Sequence, residues 1–240
     1  MDNYFVSSCK RVKDWICRQF GQKEKKTVHH KKFADGGEVI VWETGRAGEE
    51  AASYENLFLR KEIAGFRTNI RREQSCSIKS LTRDYLYKQL LSSGEYTFDH
   101  MLVIKDPYGE APLTALALFI LEEPACVRVT TKGNLKETDF VTELPKKKEH
   151  RVPILGMYAE KANDIVIEIL DDEGNCVKSH TFTIRTKRLP KSLRNVITVK
   201  KWTDKPAYSN IMINGGVKIH TCVFDIEGEI RYYLSRKPRG

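Results

Sequence analysis

Six histidines, His29, His30, His100, His150, His180 and His220, are the residues through which this chain could attack or protonate a substrate. They share no HxxxH or HExxH spacing, so neither a nucleophile–base pair nor a metal-ligand set is signalled. His220, next to Gly215-Gly216, is the first to inspect; a structural histidine on a strand is the expectation for it. His29-His30 reads as solvated rather than metal-binding. The six cysteines (Cys9, Cys17, Cys76, Cys126, Cys176, Cys222) show no CxxC and no metal-ligand spacing, which predicts reduced, inert thiols rather than a disulfide framework. Asp171-Asp172-Glu173 could hold a cation but lacks the oxygen-ligand spacing of a calcium loop, so it reads as a solvated turn. GxGxxG and GxxxxGK[ST] are both missing, and with them any nucleotide-phosphate cradle. The expected catalytic, cofactor-binding and metal-ligating residues are therefore none, and no cofactor is expected.

The elements around these residues are read most plainly between Asn163 and Ile184. Asp164-Ile165-Val166-Ile167-Glu168-Ile169-Leu170 is β-branched and apolar, Asp171 to Asn175 is turn chemistry, and Cys176 to Ile184 resumes as a strand. That is a hairpin, with Gly174 and Asn175 able to take the positive φ of a tight reversal. In its second arm Val177, Phe182 and Ile184 are the large apolar residues, with Lys178, His180 and Arg185 between them, predicting one packed face and one wet one. Upstream, Phe98 to Ile104, Leu113 to Leu121, Cys126 to Thr131 and Asp139 to Leu144 read as strands. Glu122-Glu123-Pro124 ends one of them, and Lys146-Lys147-Lys148 reads as a solvated loop. Short strands at this spacing predict an antiparallel immunoglobulin-like β-sandwich over residues 96–186.

Residues 4–20 place Phe5, Cys9, Val12, Ile16 and Phe20 on one helical face. Such a helix would dock on its own protein or lie on an anionic membrane surface. The charged 22–32 stretch completes a basic arm and linker over residues 1–33. A strand at Val39-Ile40-Val41-Trp42 and a helical pattern over 53–91, stopped by Ser92-Ser93-Gly94, make a strand and helical region over 34–95. Residues 187–240 read as a linker around Pro190, a strand at 196–199 and a hairpin from Cys222 to Leu234. Asp225-x-x-Gly228 there echoes Asp171-x-x-Gly174. The fold class is thus mixed: a helical N-terminal extension, a sandwich, and further strands.

The formal net charge is +9. Nine Lys or Arg against three acids in residues 1–32 place most of that excess in the arm. Basic residues are not interleaved with aromatics along a strand platform, so nucleic acid is not the expected partner. No apolar run reaches the roughly 18 residues of a membrane span, and Lys10, Arg11, Lys13, Asp14 and Arg18 interrupt what would be a signal-peptide core. A cytoplasmic location is the expectation.

Three segments, in order, resemble the arylsulfate sulfotransferase family, bacterial enzymes that move a sulfuryl group from a phenolic sulfate to another phenol without a nucleotide donor. They are Asp106-Pro107-Tyr108-Gly109-Glu110-Ala111-Pro112-Leu113-Thr114-Ala115-Leu116; Val152-Pro153-Ile154-Leu155-Gly156-Met157-Tyr158 with Ala162-Asn163 and the strand Ile165 to Leu170; and Val223 to Leu234. The first resembles the start of that family's N-terminal sandwich domain and the third the opening strands of its large β-propeller. The resemblance covers residues 96–240 and implies a scaffold domain followed by an incomplete propeller. In the family a propeller histidine carries the sulfuryl group as a covalent intermediate, with His and Arg residues stabilising charge. Those motifs follow the Arg231-Tyr232-Tyr233-Leu234 strand, and His220 lies in no matching context, so no catalytic residue carries over. Known members are exported, unlike the expectation here. The resemblance further implies a propeller as partner, a homodimer contact, and aryl sulfates and phenols as ligands of the full enzyme. Whether this chain is itself an enzyme is left open. The alternative is a stand-alone sandwich binding module with a basic N-terminal arm.

Overall fold

The structure is a computed structural model that describes residues 28–33, 36–52, 72–195, 197–198, 210–213 and 221–235. The amphipathic pattern at 4–20, residues 53–71 of the helical pattern at 53–91, and His220 lie outside the described residues. β1 (Val28–Lys32), β2 (Glu38–Trp42), β3 (His100–Lys105), β4 (Ala115–Thr131), β5 (Phe140–Ile154), β6 (Ala162–Leu170) and β7 (Cys176–Arg185) form one hydrogen-bonded sheet in the order β1-β2-β3-β4-β6-β7, with β5 also paired to β4. β8 (Asn210–Ile213), β9 (Cys222–Asp225) and β10 (Ile230–Tyr233) form a three-stranded antiparallel sheet in the order β10-β9-β8. Helix is confined, among the described residues, to 44–52, a long helix Arg72–Ser92 and two 3-10 turns, Lys136–Thr138 and Lys191–Leu193.

β4 and β5 make the sandwich by serving both of its layers. The first half of β4 pairs with β3 on one side and with the second half of β5 on the other; its second half pairs with β6 and with the first half of β5. The register shifts between Ile120, Ala125 and Val127, so Glu122-Glu123-Pro124 forms a bulge. A bulge bends a strand and increases its local twist. That corrects the reading of Glu122-Glu123-Pro124 as a strand end: Pro124 is accommodated where pairing is already interrupted. Lys146-Lys147-Lys148 is likewise no loop but part of β5, exposed and within reach of the same bulge.

β2, β3 and the first half of β4 are buried on both faces. Val39, Val41, Met101, Val103, Ala117 and Phe119 face the sandwich core with Ile165, Ile167, Phe182 and Ile184. Ile40, Trp42, Leu102, Ile104, Leu116 and Leu118 face Ala47, Ala51, Leu86, Tyr87 and Leu91 of the helices. This explains why β2 and β3 read as continuous apolar runs rather than alternating ones. Each Leu or Ile so enclosed contributes about 1.5–3 kcal/mol. β2 and β3 are parallel, and a parallel pair requires a crossover; the helix-containing chain between them supplies it.

The 22–32 stretch read as linker contains β1, which pairs with β2 across all five residues, Val28 to Lys32. In β7 the expected faces change partners. His180 is buried beside Phe182 and Ile184, while Val177 is 67% exposed. Val177 lies at the register shift opposite Ile169 and Leu170, in the start of β7, Cys176 to Ser179, which is exposed on both faces. The strand expected at 196–199 is irregular at 197–198, its other residues lying outside the described ones. The long helix ends at Ser92 as the Ser-Ser-Gly signal predicts, with Gly94 at φ +72.

Candidate functional site: a buried arginine clasp

The β9–β10 hairpin turns on Asp225. Its backbone N–H donates to Glu229 O (3.0 Å), Gly228 N donates to Asp225 O (2.9 Å), and Asp225 Oδ1 accepts from Glu227 N (3.0 Å) and Glu229 N (3.1 Å). Gly228 takes φ +85. Opposite, the β9–β10 register shifts between Ile230 and Tyr232, so Arg231 sits at an irregularity. Alternation breaks there: Ile230, Arg231 and Tyr233 are all buried. The irregularity turns a side chain that would alternate outward into the protein.

Arg231 is 1% exposed. Its Nε donates to Gly156 O (2.7 Å), and its Nη1 lies 2.8 Å from Thr138 O, 3.0 Å from Tyr158 Oη and 3.1 Å from Asp225 Oδ2. The guanidinium carbon stands 3.9 Å from the centre of the Tyr158 ring. Tyr158 Oη donates to Asp225 Oδ2 (2.9 Å) and accepts from Asn134 N (3.0 Å). Burial, its largest influence, pushes the Tyr158 phenol above its ordinary value, so it stays protonated and able to donate. One cation therefore bonds to the 3-10 turn before β5, the loop after β5 and the C-terminal hairpin. A guanidinium suits this because its planar fork offers several donors in fixed directions. Arg231 Nη2 is buried without a hydrogen-bond partner.

Gly156 is required where it stands. Its φ is +75, and a Cβ there would fall 2.6 Å from Phe140 Cβ, leaving no space for a side chain beside the carbonyl that receives Arg231. Asn163 fixes the same loop: its Oδ1 accepts from Tyr158 N (2.6 Å) and its Nδ2 donates to Tyr158 O (3.0 Å). Apolar contact completes the joint, since Cys222, Phe224, Ile230 and Tyr233 belong to the same core cluster as Met157 and Leu193.

Of the described histidines, His30 and His100 share one carboxylate, Glu38, and the others have separate partners. His29 and His30 are exposed on β1, 3.6 Å from Glu43 and Glu38 respectively. His100 Nδ1 lies 3.0 Å from Glu38 Oε1. His150 is buried against Phe119, donates from Nε2 to Lys147 O (2.8 Å), and is held below its ordinary pKa chiefly by burial. His180 Nε2 lies 2.8 Å from Asp99 Oδ1, an orientation that catalytic imidazoles use. Here the ring is stacked between Phe33 and Phe98, at centroid distances of 3.9 and 4.5 Å, and its side chain is 1% exposed. A substrate has no approach to it, so the pair is structural. Lys178 hydrogen-bonds to the same Asp99 and is the main reason its carboxyl is held below the usual range.

Asp171, Asp172 and Glu173 form a turn: Asp171 Oδ1 accepts from Glu173 N (3.0 Å) and Asn175 N (2.7 Å), and Lys146 bonds Asp172. Among the described residues no group of three or more His, Cys, Asp or Glu is arranged to hold a metal ion, and no helix is long and apolar enough to cross a membrane. Cys126, Cys176 and Cys222 are free thiols, and burial pushes Cys222 up.

Sequence reasoning missed the clasp. An arginine inside the apolar Ile230-Arg231-Tyr232-Tyr233-Leu234 run was the available signal, because a buried charge demands a partner and Asp225 lies six residues back across a tight turn. Residues 102–187 match the family model described as the arylsulfotransferase Ig-like domain. No curated protein matches the chain.

Proposed function

We propose, for a chain whose residues 102–187 match the arylsulfotransferase Ig-like domain, that it is an N-terminal region of such a protein and that the described residues are a scaffold rather than a catalytic set. The observation that carries this is Arg231. This buried cation is spent on backbone carbonyls, Tyr158 and Asp225, an arrangement that fixes one sheet on another and is closed to substrate. On this reading β8–β10 are the opening strands of a propeller, and sulfuryl transfer through a sulfohistidine belongs to that propeller. The clasp would set the angle at which the propeller leaves the sandwich.

A second reading, a free-standing binding module, draws support from the same hairpin, which is buried against the sandwich instead of presenting an apolar face to water. Both readings predict that the purified chain, given a chromogenic aryl sulfate and a phenol acceptor, releases phenol no faster than buffer. Robust turnover would overturn both. They separate in the Arg231→Met variant of a chain extended by a propeller: the scaffold reading expects lost sulfotransferase activity with the sandwich still folded, and the module reading expects no change in that activity.

A further inference from the structure

Where the β4 bulge meets the β6–β7 turn, the sandwich carries an open groove of about 940 Å³. Its lining includes Leu121, Ile169 and Val177, and Val177 is 67% exposed although it is a large apolar residue on a strand. The rim is acidic: Asp99, Glu122, Glu123, Asp171, Asp172 and Glu173 line the groove against two lysines. Both lysines are already engaged, Lys146 by Asp172 and Lys178 by Asp99. Among the described residues Glu122, Glu123 and Glu173 have no ion pair, and negative charge is therefore left over around an apolar floor.

The chain itself carries the complement. Residues 1–27 hold seven Lys or Arg against three acids, and residues 4–20 line up Phe5, Val12, Ile16 and Phe20 at helical spacing with Lys10, Arg11, Lys13 and Arg18 mostly beside them. Apolar anchors at such spacing are what an amphipathic helix lays into a groove. Reach is sufficient. Val28 pairs with Trp42, Trp42 with Ile104, and Leu102 with Leu118, so Ile120 at the groove lies about four residues along the strands and three strand spacings across, about 20 Å away. The seven residues 21–27 span up to about 25 Å when extended.

We propose that this groove is the docking site of the chain's own N-terminal segment, residues 4–20, with the apolar stripe on the Leu121–Ile169–Val177 floor and the basic residues against the glutamate rim. Opposite charge on the two surfaces sets the register, and burial of the aromatic and aliphatic anchors supplies most of the attraction.

Amide hydrogen exchange on the full chain tests this through two sets of reversals. Glu122→Lys with Glu123→Lys inverts the rim, and Lys13→Glu with Arg18→Glu inverts the arm without touching the sheet. Each set alone should speed exchange in residues 4–20 by roughly tenfold, and the arm set should also unmask residues 120–124 and 170–178; the combined variant should restore protection. Exchange in residues 4–20 unaltered by the arm set would overturn the proposal, as would protection that rises with protein concentration, which assigns the groove to a second copy. Protection seen only with vesicles of anionic phospholipid would likewise overturn it, assigning the segment to a membrane surface. The near-UV circular dichroism of each variant separates loss of docking from loss of fold.

Discussion

Two hairpin turns in this molecule share a backbone and differ in everything around it. In both, an Asp begins Asp-x-x-Gly, the Gly takes φ +85, the Gly N–H returns to the Asp carbonyl (3.1 Å at Asp171, 2.9 Å at Asp225), and Oδ1 accepts from the residues two and four further on. Asp171 stands at a solvent-facing end of the sandwich, and its second oxygen accepts from the Asn175 amide (3.1 Å). Asp225 is 0% exposed, and its second oxygen accepts from Tyr158 and Arg231. The same four-residue code therefore makes a turn in one place and the anionic half of a clasp between two sheets in the other. Turn chemistry is local, whereas the use made of the spare oxygen depends on what packs over it.

The largest expected break in this comparison is Asp225→Ala. It leaves the buried Arg231 guanidinium without its carboxylate, and removing one partner of a buried pair costs about 3–5 kcal/mol; the drop in the urea midpoint at constant m-value measures it. Asp225→Asn with Arg231→Met should recover a large part of that loss, since no charge is then left buried alone. Next come Gly174→Ala and Gly228→Ala. Both force a Cβ into left-handed backbone at about 1–2 kcal/mol, and the two losses should agree closely, because backbone strain is common to both turns. The Asp171→Ala midpoint shift should be a small fraction of the Asp225→Ala shift.

The smallest effect is a titration. Hydrogen bonds from the Asn175 backbone, then from its side chain, hold the Asp171 carboxyl below its ordinary value of 3.8. A depressed carboxylate contributes stability that is fully present above the unfolded pKa and is lost as pH falls through the folded one. The Asp171 carboxyl resonance should therefore titrate with a midpoint below 3.8, and Asn175→Ala should move that midpoint upward.

The legible parts of this fold are those governed by nearest neighbours. Hairpins at Asp171–Asn175 and Asp225–Glu229, the helix stop at Ser92-Ser93-Gly94 and the turn at Asp106–Gly109 all follow from residues that tolerate or demand particular backbone angles. Misread places were those decided by a distant strand. Pro124 looked like a terminator because proline cannot donate to a ladder, yet β4 passes through it where a bulge has already interrupted pairing. Lys146-Lys147-Lys148 looked like a loop because it is charged, yet β5 presents it at an exposed edge of the sheet, where charge is compatible with strand. Val177 came out exposed and His180 buried because composition shows how apolar a strand is, and what packs over each position decides which residues are inward.

His180 has an orienting carboxylate, Asp99, and a phenylalanine ring on each face, a combination that no spacing in the sequence announces. The clasp was hidden for the same reason. Arg231, Asp225, Tyr158, Gly156 and Thr138 span 94 residues of chain, and no spacing rule joins groups so far apart.

By itself the amino-acid order determined where the two Asp-x-x-Gly hairpins turn, where the long helix stops, and that the N-terminal arm is cationic, since φ/ψ preference, side-chain period and charge act within a few residues. Only the tertiary structure decided which of two identical aspartate turns would be sealed from water and which left wet. Burial is a property of what lies across the gap, and an ionised side chain removed from solvent is tolerable only where a partner has been brought to meet it.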